Sequence, residues 1–353
     1  MTTYTIANEN DYNEINSFYN KFRNLNRTFE QFTWEFIDNP AGKAIYIIAK
    51  DNDKIIGTQC AIPVYFSLPN GEIILTGKSE DTLVDPEYRG KNILSNMYEL
   101  LFSECTKMRI DIIWGFTLLN KTFQKLGFEI PLSYTQTVLV LKPFKSFKSF
   151  NKQRKTDSSL DKLKIFILCY GLKLKRIVKI NTRKLGDFNV VENGDFNTDV
   201  LLSKIRKSYL LSSISHSQEY LKWRVNHNPF YHETICYSLL DEQRNVRANI
   251  ILNINSDNSC YIIDFLFDPE IKLSVLTTFI NYITNKLSKK GVALIRNWNF
   301  SHNEYGTNEL SVFLKSGFFH IKKGSFFVWK NLSGLEIYPK NLLLTRIASE
   351  GTI

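Results

Sequence analysis

Apolar and polar positions divide the first third of the chain into short alternating elements. Between Lys43 and Val84, three β-prone apolar runs are separated by the turn-forming segments DND and PNG, which predicts three strands joined by hairpins. The next stretch, NILSNMYELLFSECTKM, has apolar residues at helical spacing. DIIWGFT then predicts a strand, and NKTFQKLG predicts a helix that ends at a glycine. This order of elements is typical of an α+β domain with a mixed sheet.

Three landmarks of this first part return in the same order near the end of the chain. WEFIDNP, DTLVDPE and FQKLGF begin at residues 34, 81 and 123, and WRVNHNP, DFLFDPE and FLKSGF begin at residues 223, 264 and 313. The tryptophan and the final glycine are 93 positions apart in the first set and 94 in the second. Three ordered matches at nearly equal spacing indicate an internal duplication. A length of 353 residues agrees with two such domains.

A strongly basic segment separates the two halves and sets the predicted domain limits at 1–141 and 191–353. From Lys142 to Lys184 fourteen Lys or Arg face two Asp, a net charge of +12, which leaves −2 for the rest of a chain whose total is +10. We expect residues 142–190 to be a linker with a bridging helix. The alternative is a basic amphipathic element that makes weak contact with an anionic membrane surface or with acidic ligands. The folded halves are not basic, so nucleic acid is not an expected partner.

Other sequence features exclude several classes of protein. The most apolar stretch, IFILCYGL, is far short of the roughly 20 residues that span a bilayer, and the N-terminus has no signal-peptide pattern, so we expect a cytoplasmic protein. The five cysteines are widely spaced without a CxxC pair, which favours buried free thiols. The five histidines form no HExxH-type pair, so no metal is expected.

The stretch DTLVDPEYRGKNIL, which starts at Asp81, joins a strand to a helix through a turn rich in positive charge and backbone donors. The start of a helix leaves unpaired N–H groups and a partial positive charge, which suits a phosphate or pyrophosphate. Gly90 allows a ligand to approach the backbone because it has no Cβ. The predicted cradle for such a group consists of Arg89, Gly90, Lys91, Asn92 and Ile93.

The turn VDPEYRGKNI, the helix after it, the strand DIIWGFT and the closing FQKLGF together resemble the Gcn5-related N-acetyltransferase (GNAT) superfamily. The resemblance implies that the turn holds the pyrophosphate of coenzyme A and that acyl-CoA is a co-substrate. The chain departs from the usual family pattern at Glu87, where Gln or Arg is common, and at Asn92, where Gly or Ala is common. The second half has FDPEIKLSV at the equivalent place, which implies a tandem GNAT protein with one cofactor site.

The resemblance also implies a reaction, in which an amine attacks the acyl thioester in a cleft between two separating parallel strands, here EDTLV and DIIWGFT. A backbone N–H near Leu83 and Val84 is the implied donor to the oxyanion. Asn120 is the implied partner of the pantetheine arm, with a plain helix N-cap as the alternative. Family members often have a tyrosine acid where this chain has Phe123, so the thiolate must take its proton from another residue or from water.

Glu80 and Asp81 are the candidates for the general base, and strand alternation predicts that they lie on opposite faces. Asp81 has a counterpart, Asp264, in the half without a cofactor turn, which indicates a structural role. Glu80 aligns with Ile263, so its charge belongs only to the half with the turn. Glu80 is therefore the favoured base.

The second half is predicted to bind the acceptor through aromatic, basic and histidine side chains in EYLKWRVNHNPFYHE and RNWNFSHNEYGTNE. The candidates are Trp223, Arg224, His227, Tyr231 and Trp298. Tandem GNAT proteins with a YLKWR segment resemble enzymes that acylate nucleotide-linked amino sugars for surface polysaccharides such as O-antigen. This narrower resemblance implies a dTDP- or UDP-linked amino sugar. A Fem-like aminoacyl transferase and a non-enzymatic acyl-CoA sensor are the alternatives.

Overall fold

Two mixed β-sheets form the framework of the protein. The structure is a computed structural model that describes residues 2–154, 158–179, 185–194, 198–322 and 324–349. The predicted α+β class is confirmed, and each of the predicted strands and helices of the first half is present.

The first sheet begins with four antiparallel strands and continues through a parallel pair. In spatial order its main path is β1 (Thr2–Ile6), β2 (Ile45–Asp51), β3 (Lys54–Ser67), β4 (Ile73–Val84), β5 (Ile112–Thr117), β15 (Phe326–Asn331) and β6 (Glu129–Ser133). Two short strands extend it beside β3, namely β9 (Ser212–Ile214) and β16 (Leu342–Leu343).

The second sheet repeats this plan with fewer strands. Its spatial order is β14 (Phe319–Ile321), β7 (Thr135–Val140), β13 (Leu294–Asn299), β12 (Ser259–Phe267), β11 (Val246–Ile254), β10 (Glu233–Leu240) and β8 (Asn189–Glu192). The parallel pair β12 and β13 corresponds to β4 and β5 of the first sheet.

Helices cover both faces of the first sheet. Helix α1 (Tyr12–Arg23) and helix α2 (Phe29–Phe36) pack their aromatic residues on one face, and helix α3 (Ile93–Lys107) packs on the other. Helix α4 (Asn120–Lys125) follows β5. Each apolar helix face removes hydrocarbon from water, which is the main favourable term in forming these layers.

The second sheet is covered by its own helices. These are α7 (Asp199–Tyr209), α8 (Gln218–Leu221), α9 (Leu273–Lys290) and α10 (Glu304–Lys315). Helix α8 continues as a π-helical turn over Lys222–Asn226. Helices α7, α9 and α10 contribute to one large apolar core with the second sheet.

The two halves exchange their last strands. Strand β7 of the first half lies between β13 and β14 of the second sheet, and β15 of the second half lies between β5 and β6 of the first sheet. Of the two predicted domain ranges, 1–141 therefore places β7 in the second sheet, and 191–353 places β9, β15 and β16 in the first. Phe327 and Trp329 of β15 belong to an apolar core that both halves build. The exchange makes the halves mutually dependent for the backbone hydrogen bonds of these strands.

The basic segment forms two helices rather than one. Helix α5 (Pro143–Arg154) and helix α6 (Ser159–Lys179) pack on each other and on β7. The polar stretch after Lys142 is helical because Phe147 and Phe150 pack against the second sheet together with α6. Residues 155–157 and 180–184 of this segment lie outside the described residues. Among the helices of the described ranges, none is both long and apolar enough to cross a membrane.

Candidate functional site

The parallel strands β4 and β5 separate in the middle of the first sheet. The register pairs Thr76 with Ile112 and Lys78 with Trp114, and β4 continues to Val84 beyond the last pair. A cavity of about 100 Å³ lies where the strands separate, lined by residues 79–82 of β4 and 115–117 of β5. The strands that were predicted to form the cleft are thus neighbours that separate. The opening exposes backbone groups of β4 that a paired strand would cover.

A β-bulge gives β4 its shape beside this cavity. Positions 58 and 60 of β3 are opposite positions 83 and 80 of β4, so that one β3 residue faces both Asp81 and Thr82. Asp81 has a φ of +50°, in the left-handed region. The prediction that Glu80 and Asp81 lie on opposite faces is wrong, because the extra residue breaks the alternation of side chains. Glu80 is opposite Cys60, and Asp81 bonds Tyr46, which is also opposite Cys60.

Asp81 is held in a buried network on the face covered by α1 and α2. Both guanidinium nitrogens of Arg27 donate to its carboxylate at 3.1 and 2.8 Å, and the Tyr46 hydroxyl donates at 2.5 Å. Burial, with the nearby Asp81 charge, raises the pKa of Tyr46 well above its ordinary value. Arg27 also lies over the Tyr19 ring at 4.1 Å. With its lone pairs engaged in this way, the Asp81 carboxylate links the α1–α2 connection to the bulge.

Glu80 lies at the boundary between two cavities. Its side chain is 8% exposed and pairs with Lys78 at 2.5 Å between Oε1 and Nζ. Glu80 lines the cavity between β4 and β5, while Lys78 lines a narrow cavity between the two halves. The second cavity is also lined by Trp34, Trp114 and Arg224. A carboxylate in this position can accept a proton from an amine that enters between the halves.

The turn after β4 presents unused backbone donors. Arg89 donates its N–H weakly to the Pro86 carbonyl at 3.4 Å, so the first free donor is Gly90 and not Arg89 as predicted. Within the described residues, the N–H groups from Gly90 to Ile93 have no acceptor. Gly90 and Asn92 have φ values of +80° and +58°, which curl the backbone before α3 begins. This concave run of N–H groups at a 15-residue helix suits an oxyanion.

The charged side chains of the turn are exposed around these donors. The Lys91 ammonium lies over the Tyr88 ring at 4.7 Å, and the Tyr88 hydroxyl donates to Asp51 at 3.0 Å. Arg89 is exposed to solvent. An ideal Cβ on Gly90 would meet no protein atom within 4 Å, so glycine is needed here for the backbone angle and for ligand approach.

The last residues of β4 differ in where their N–H groups point. Asp85 donates to the Ile56 carbonyl of β3 at 2.9 Å, and by antiparallel alternation the N–H of Val84 points away from β3, toward the opening. Leu83 is instead paired with Thr58, and its side chain is buried in the core under α1 and α2. Of these two predicted residues, Val84 therefore has the backbone donor that faces the opening.

The equivalent donor in the second half is already used. Asp268 donates to the Arg247 carbonyl at 2.8 Å, as Asp85 does to Ile56, but the preceding N–H, of Phe267, donates to the Tyr305 hydroxyl at 2.9 Å. Tyr305 is fully buried and stacks on the Phe267 ring at 4.3 Å. Helix α9 also begins five residues after Asp268, whereas α3 begins eight after Asp85. The second half lacks both the long turn and the open donor.

The remaining predicted cofactor residue, Asn120, begins helix α4. Its side-chain oxygen accepts the N–H of Lys121 at 2.8 Å. Phe123, one turn later, lines the cavity between β4 and β5 and carries no acidic proton. Asn120 as a pantetheine partner stays a prediction.

The predicted acceptor residues lie in two groups at the contact between the halves. Trp223 stacks on Trp34, with ring centroids 5.0 Å apart, and exposed His227 lines a cleft of about 540 Å³ beside them. Trp298 lies deeper, stacked on Tyr134 at 4.0 Å. It also contacts Phe116 of the opening at 5.5 Å.

Arg224 and Tyr231 lie between these groups. The buried guanidinium of Arg224 donates to the carbonyls of Ile347 and Ser349 at 3.0 and 2.9 Å, and to the Tyr231 hydroxyl at 3.2 Å. These bonds of Arg224 hold the last described turn of the chain in place.

Several residues beside the site were not selected from the sequence. Arg346 is 8% exposed and lies between Tyr261 and Trp298, with its guanidinium carbon 4.1 and 4.7 Å from their ring centroids. In the described part of the chain no carboxylate or carbonyl accepts from it. No sequence motif identifies Arg346 as a site residue, because the rings that surround it come from distant parts of the chain. Lys78 could have been predicted, because a charged residue two positions before Glu80 in an apolar strand lies on the same face of that strand.

The side chains that the structure describes form no candidate metal site. Within those residues no group of three or more His, Cys, Asp or Glu could hold a metal ion. All five cysteines are buried free thiols.

Comparison with known protein families gives a match in the first part of the chain. Residues 3–130 match the family described as acetyltransferase (GNAT) domain. This range contains the opening between β4 and β5, the turn at Gly90 and helix α4. No curated protein sequence matches the chain.

Solved structures share the fold at low sequence identity. A conserved protein of unknown function from Enterococcus faecalis V583, described as a probable N-acyltransferase, has a TM-score of 0.66 at 8% identity over 94% of this chain and 73% of its own. A tandem GNAT protein of the clavulanic acid biosynthesis pathway has a TM-score of 0.57 at 11% identity, over 95% and 100%. Saccharomyces cerevisiae N-myristoyltransferase with bound myristoyl-CoA has a TM-score of 0.56 at 13% identity, over 93% and 82%.

These matches agree with the geometry. The family match covers the half with the open turn, and the structural matches extend over both sheets. Residues 3–130 match the acetyltransferase (GNAT) domain family, and the whole chain has the fold of two GNAT-like domains in tandem.

Proposed function

We propose that the protein is an acyl-CoA-dependent N-acyltransferase with one active site, in its first half. The observation that carries this proposal is the contrast between the halves. The first half has free N–H groups at Gly90 to Ile93 and a Val84 N–H that points toward the opening, whereas Tyr305 accepts the equivalent N–H of the second half. The free donors suit the pyrophosphate of coenzyme A, and the cleft suits the pantetheine arm.

In the proposed reaction an amine attacks the thioester carbonyl of acyl-CoA. A C–N bond forms and the C–S bond breaks, so that the amide and the thiol of coenzyme A are the products. Glu80 takes the proton that the ammonium group must lose before it attacks as a neutral amine, and a positioned base of this kind contributes about 10² to 10⁴ in rate. The Val84 N–H donates to the developing oxyanion. Water supplies the proton for the thiolate, because Phe123 cannot.

Lys78 gives Glu80 its place in this scheme. The ion pair at 2.5 Å keeps the carboxylate at the boundary between the cofactor cleft and the cavity between the halves. An acceptor amine that arrives from the second cavity meets Glu80 before it meets the thioester. Lys78 is therefore a positioning residue, and its removal should free the carboxylate to adopt other rotamers.

The proposed acceptor is a nucleotide-linked amino sugar, with a dTDP or UDP group. Arg346 supports an acceptor with an anionic part, because a buried cation without an anionic partner gains free energy when an oxyanion binds it. Trp298 and Tyr261 offer aromatic faces beside it that suit a base or a sugar. Trp223, Arg224, His227 and Tyr231 complete the proposed acceptor surface of the second half.

A turnover screen tests the proposal. Acyl-CoA donors of increasing chain length are combined with dTDP- and UDP-linked amino sugars, and release of the coenzyme A thiol is measured. Free amino sugars, aminoglycosides and polyamines serve as comparison acceptors. We expect turnover with at least one nucleotide-linked amino sugar, and its loss in Glu80→Gln. Acyl-CoA binding without transfer to any amine would instead identify a sensor, and salt-sensitive transfer from aminoacyl-tRNA would identify a Fem-like enzyme.

A further inference from the structure

Helix α6 carries an exposed apolar stripe on its outer side. Leu160, Leu163, Ile167 and Leu174 are 53–64% exposed and follow one another at intervals of three, four and seven residues. At 100° per residue these positions fall within a narrow arc of the helix. The stripe runs for about 21 Å, at 1.5 Å per residue. Leu168 and Tyr170, which are also exposed, flank it.

The opposite side of α6 fixes the orientation of the stripe. Ile165 and Cys169 are buried against Val138 and Val140 of β7, and Leu172 packs at the edge of the same cluster. The helix thus cannot turn its outer leucines inward without breaking this core. Isolated exposed leucines are common on protein surfaces, but a continuous row on an anchored helix is not.

The sequence segment that contains the stripe is strongly basic. The segment from Lys142 to Lys184 has a net charge of +12, whereas the rest of the chain has −2. On α5, which packs beside α6, Lys145 and Lys148 are exposed. Lys164, beside the stripe, is 67% exposed and pairs with Asp161 at 3.3 Å. This charge favours an anionic partner at the same face.

We propose that α6 docks on the surface of an anionic lipid bilayer, with its outer leucines below the headgroups and with Lys145, Lys148 and Lys164 at the phosphates. The combination of an apolar stripe and a cationic border is that of an interfacial helix that lies in the plane of the membrane. The excess positive charge of the chain lies in the sequence segment that contains the stripe, which favours approach of an anionic bilayer to this segment. The proposal is independent of the acyl transfer reaction.

Vesicle co-sedimentation tests the proposal with the full chain. The protein is mixed with phosphatidylcholine vesicles, with or without phosphatidylglycerol, and the bound fraction is measured as lipid is increased. We expect binding to the anionic vesicles at least tenfold stronger than to the neutral ones, and weaker binding at high salt. Equal binding to both kinds of vesicle, or to neither, would overturn the proposal.

Three variants separate the contributions. Leu163→Ser with Ile167→Asn should reduce binding to anionic vesicles by about 10²-fold or more, because two apolar side chains that insert into the bilayer are replaced by polar ones. Lys145→Gln with Lys148→Gln should reduce it by about tenfold or more, and only on anionic vesicles. Leu210→Ser is the matched control, since Leu210 is 65% exposed and lies at the end of α7, outside α5 and α6. Circular dichroism of each variant confirms that it is folded.

Two further outcomes would also overturn the proposal. If Leu210→Ser weakens binding as much as the stripe variant does, the bilayer is not recognised by α6. If the wild-type protein ignores vesicles but forms a dimer that Leu163→Ser with Ile167→Asn disrupts, the stripe joins two copies of this chain and the proposal is overturned. Loss of acyl transfer in the screen above leaves all of these measurements unchanged.

Discussion

Trp34 and Trp223 donate their indole N–H groups to each other's main-chain carbonyl oxygens, at 2.9 and 2.8 Å. Their rings stack with centroids 5.0 Å apart and planes inclined by 21°. The two residues occupy the same position in the duplicated WEFIDNP and WRVNHNP motifs. A reciprocal contact between equivalent residues indicates that the halves are related by an approximate twofold axis, which passes between the two rings.

The reciprocal bonds predict a measurable coupling between the halves. Trp34→Phe keeps an aromatic ring but leaves the Trp223 carbonyl without its donor, which should lower the free energy of unfolding by about 1–3 kcal/mol. Trp223→Phe should lower the free energy of unfolding by a similar amount. The double variant should lose less stability than the sum of the two single losses. Urea unfolding measures each value. Strict additivity in this cycle would show that the pair does not act as one unit.

Glu80 and Asp81 should respond differently to loss of charge. Glu80→Gln keeps the shape but removes the proton acceptor, so turnover should fall by about 10² with little change in acyl-CoA affinity. The deficit should shrink at high pH, where solvent deprotonates the amine.

Asp81→Asn is the matched comparison on the same bulge. It leaves buried Arg27 without its carboxylate, and breaking a buried ion pair in this way costs about 3–5 kcal/mol of stability. We expect a larger effect on unfolding than on turnover. Full activity in Glu80→Gln, with loss of activity in a folded Asp81→Asn, would reverse the two roles.

Gly90→Val should abolish acyl-CoA binding. Valine is strained at a φ of +80°, and its side chain would stand where the ligand approaches the free N–H groups. Gly334→Val is a close control, because Gly334 has a φ of +78° with equally open surroundings. Calorimetry with a non-hydrolysable acyl-CoA should give one site per chain in the control and in the wild type. A stoichiometry of two would contradict the single-site proposal, and wild-type affinity in Gly90→Val would exclude this turn as the cradle.

Arg346 should determine preference for anionic acceptors. Arg346→Gln should raise the KM of a nucleotide-linked amino sugar by about 10- to 100-fold, because bonds to charged groups contribute about 1.5–3 kcal/mol. The KM of a neutral acceptor and the kcat of both should change only a few fold. Arg346→Lys, which keeps the charge but not the planar fork, should recover part of the affinity. An equal loss for neutral and anionic acceptors would reduce Arg346 to a structural role.

Glu309, which lies outside the proposed active site, should make the stability of the protein depend on pH. Burial raises the pKa of Glu309 from its ordinary value of 4.5 to about 8, and the Asn297 amide donates to it at 2.9 Å. Because the folded state holds this proton more tightly, stability is greatest below pH 4.5 for this group and is lost as pH rises toward 8.

The corresponding variant isolates this contribution. Glu309→Gln should remove a slope of up to about 1.4 kcal/mol per pH unit between pH 5 and 8, measured by urea unfolding. Asp264→Asn is the comparison, because burial raises the pKa of Asp264 to about 7 and its window ends one unit lower. Parallel pH curves for wild type and Glu309→Gln would contradict this assignment.

Local features of this protein were determined by its sequence. The strands and helices of the first half follow from short-range periodicity, and the turn at Gly90 follows from a proline, a glycine and two basic residues within six positions. The duplication could be read because ordered landmarks survive at equal spacing. The contrast between VDPEYRGKNI and FDPEIKLSV predicts a single turn, because backbone curvature of this kind depends on adjacent residues.

Only the tertiary structure decided the features that depend on partners distant in sequence. The exchange of β7 and β15 depends on which strand each of them pairs with, β13 for β7 and β5 for β15. The sequence of a strand does not specify a pairing partner in another part of the chain. The bulge that places Glu80 and Asp81 on one face depends on the register with β3, which side-chain alternation alone does not reveal. Tyr305 closes the second cleft from 38 residues beyond Phe267. Contacts of this kind arise from packing between remote segments, whose geometry no local pattern encodes.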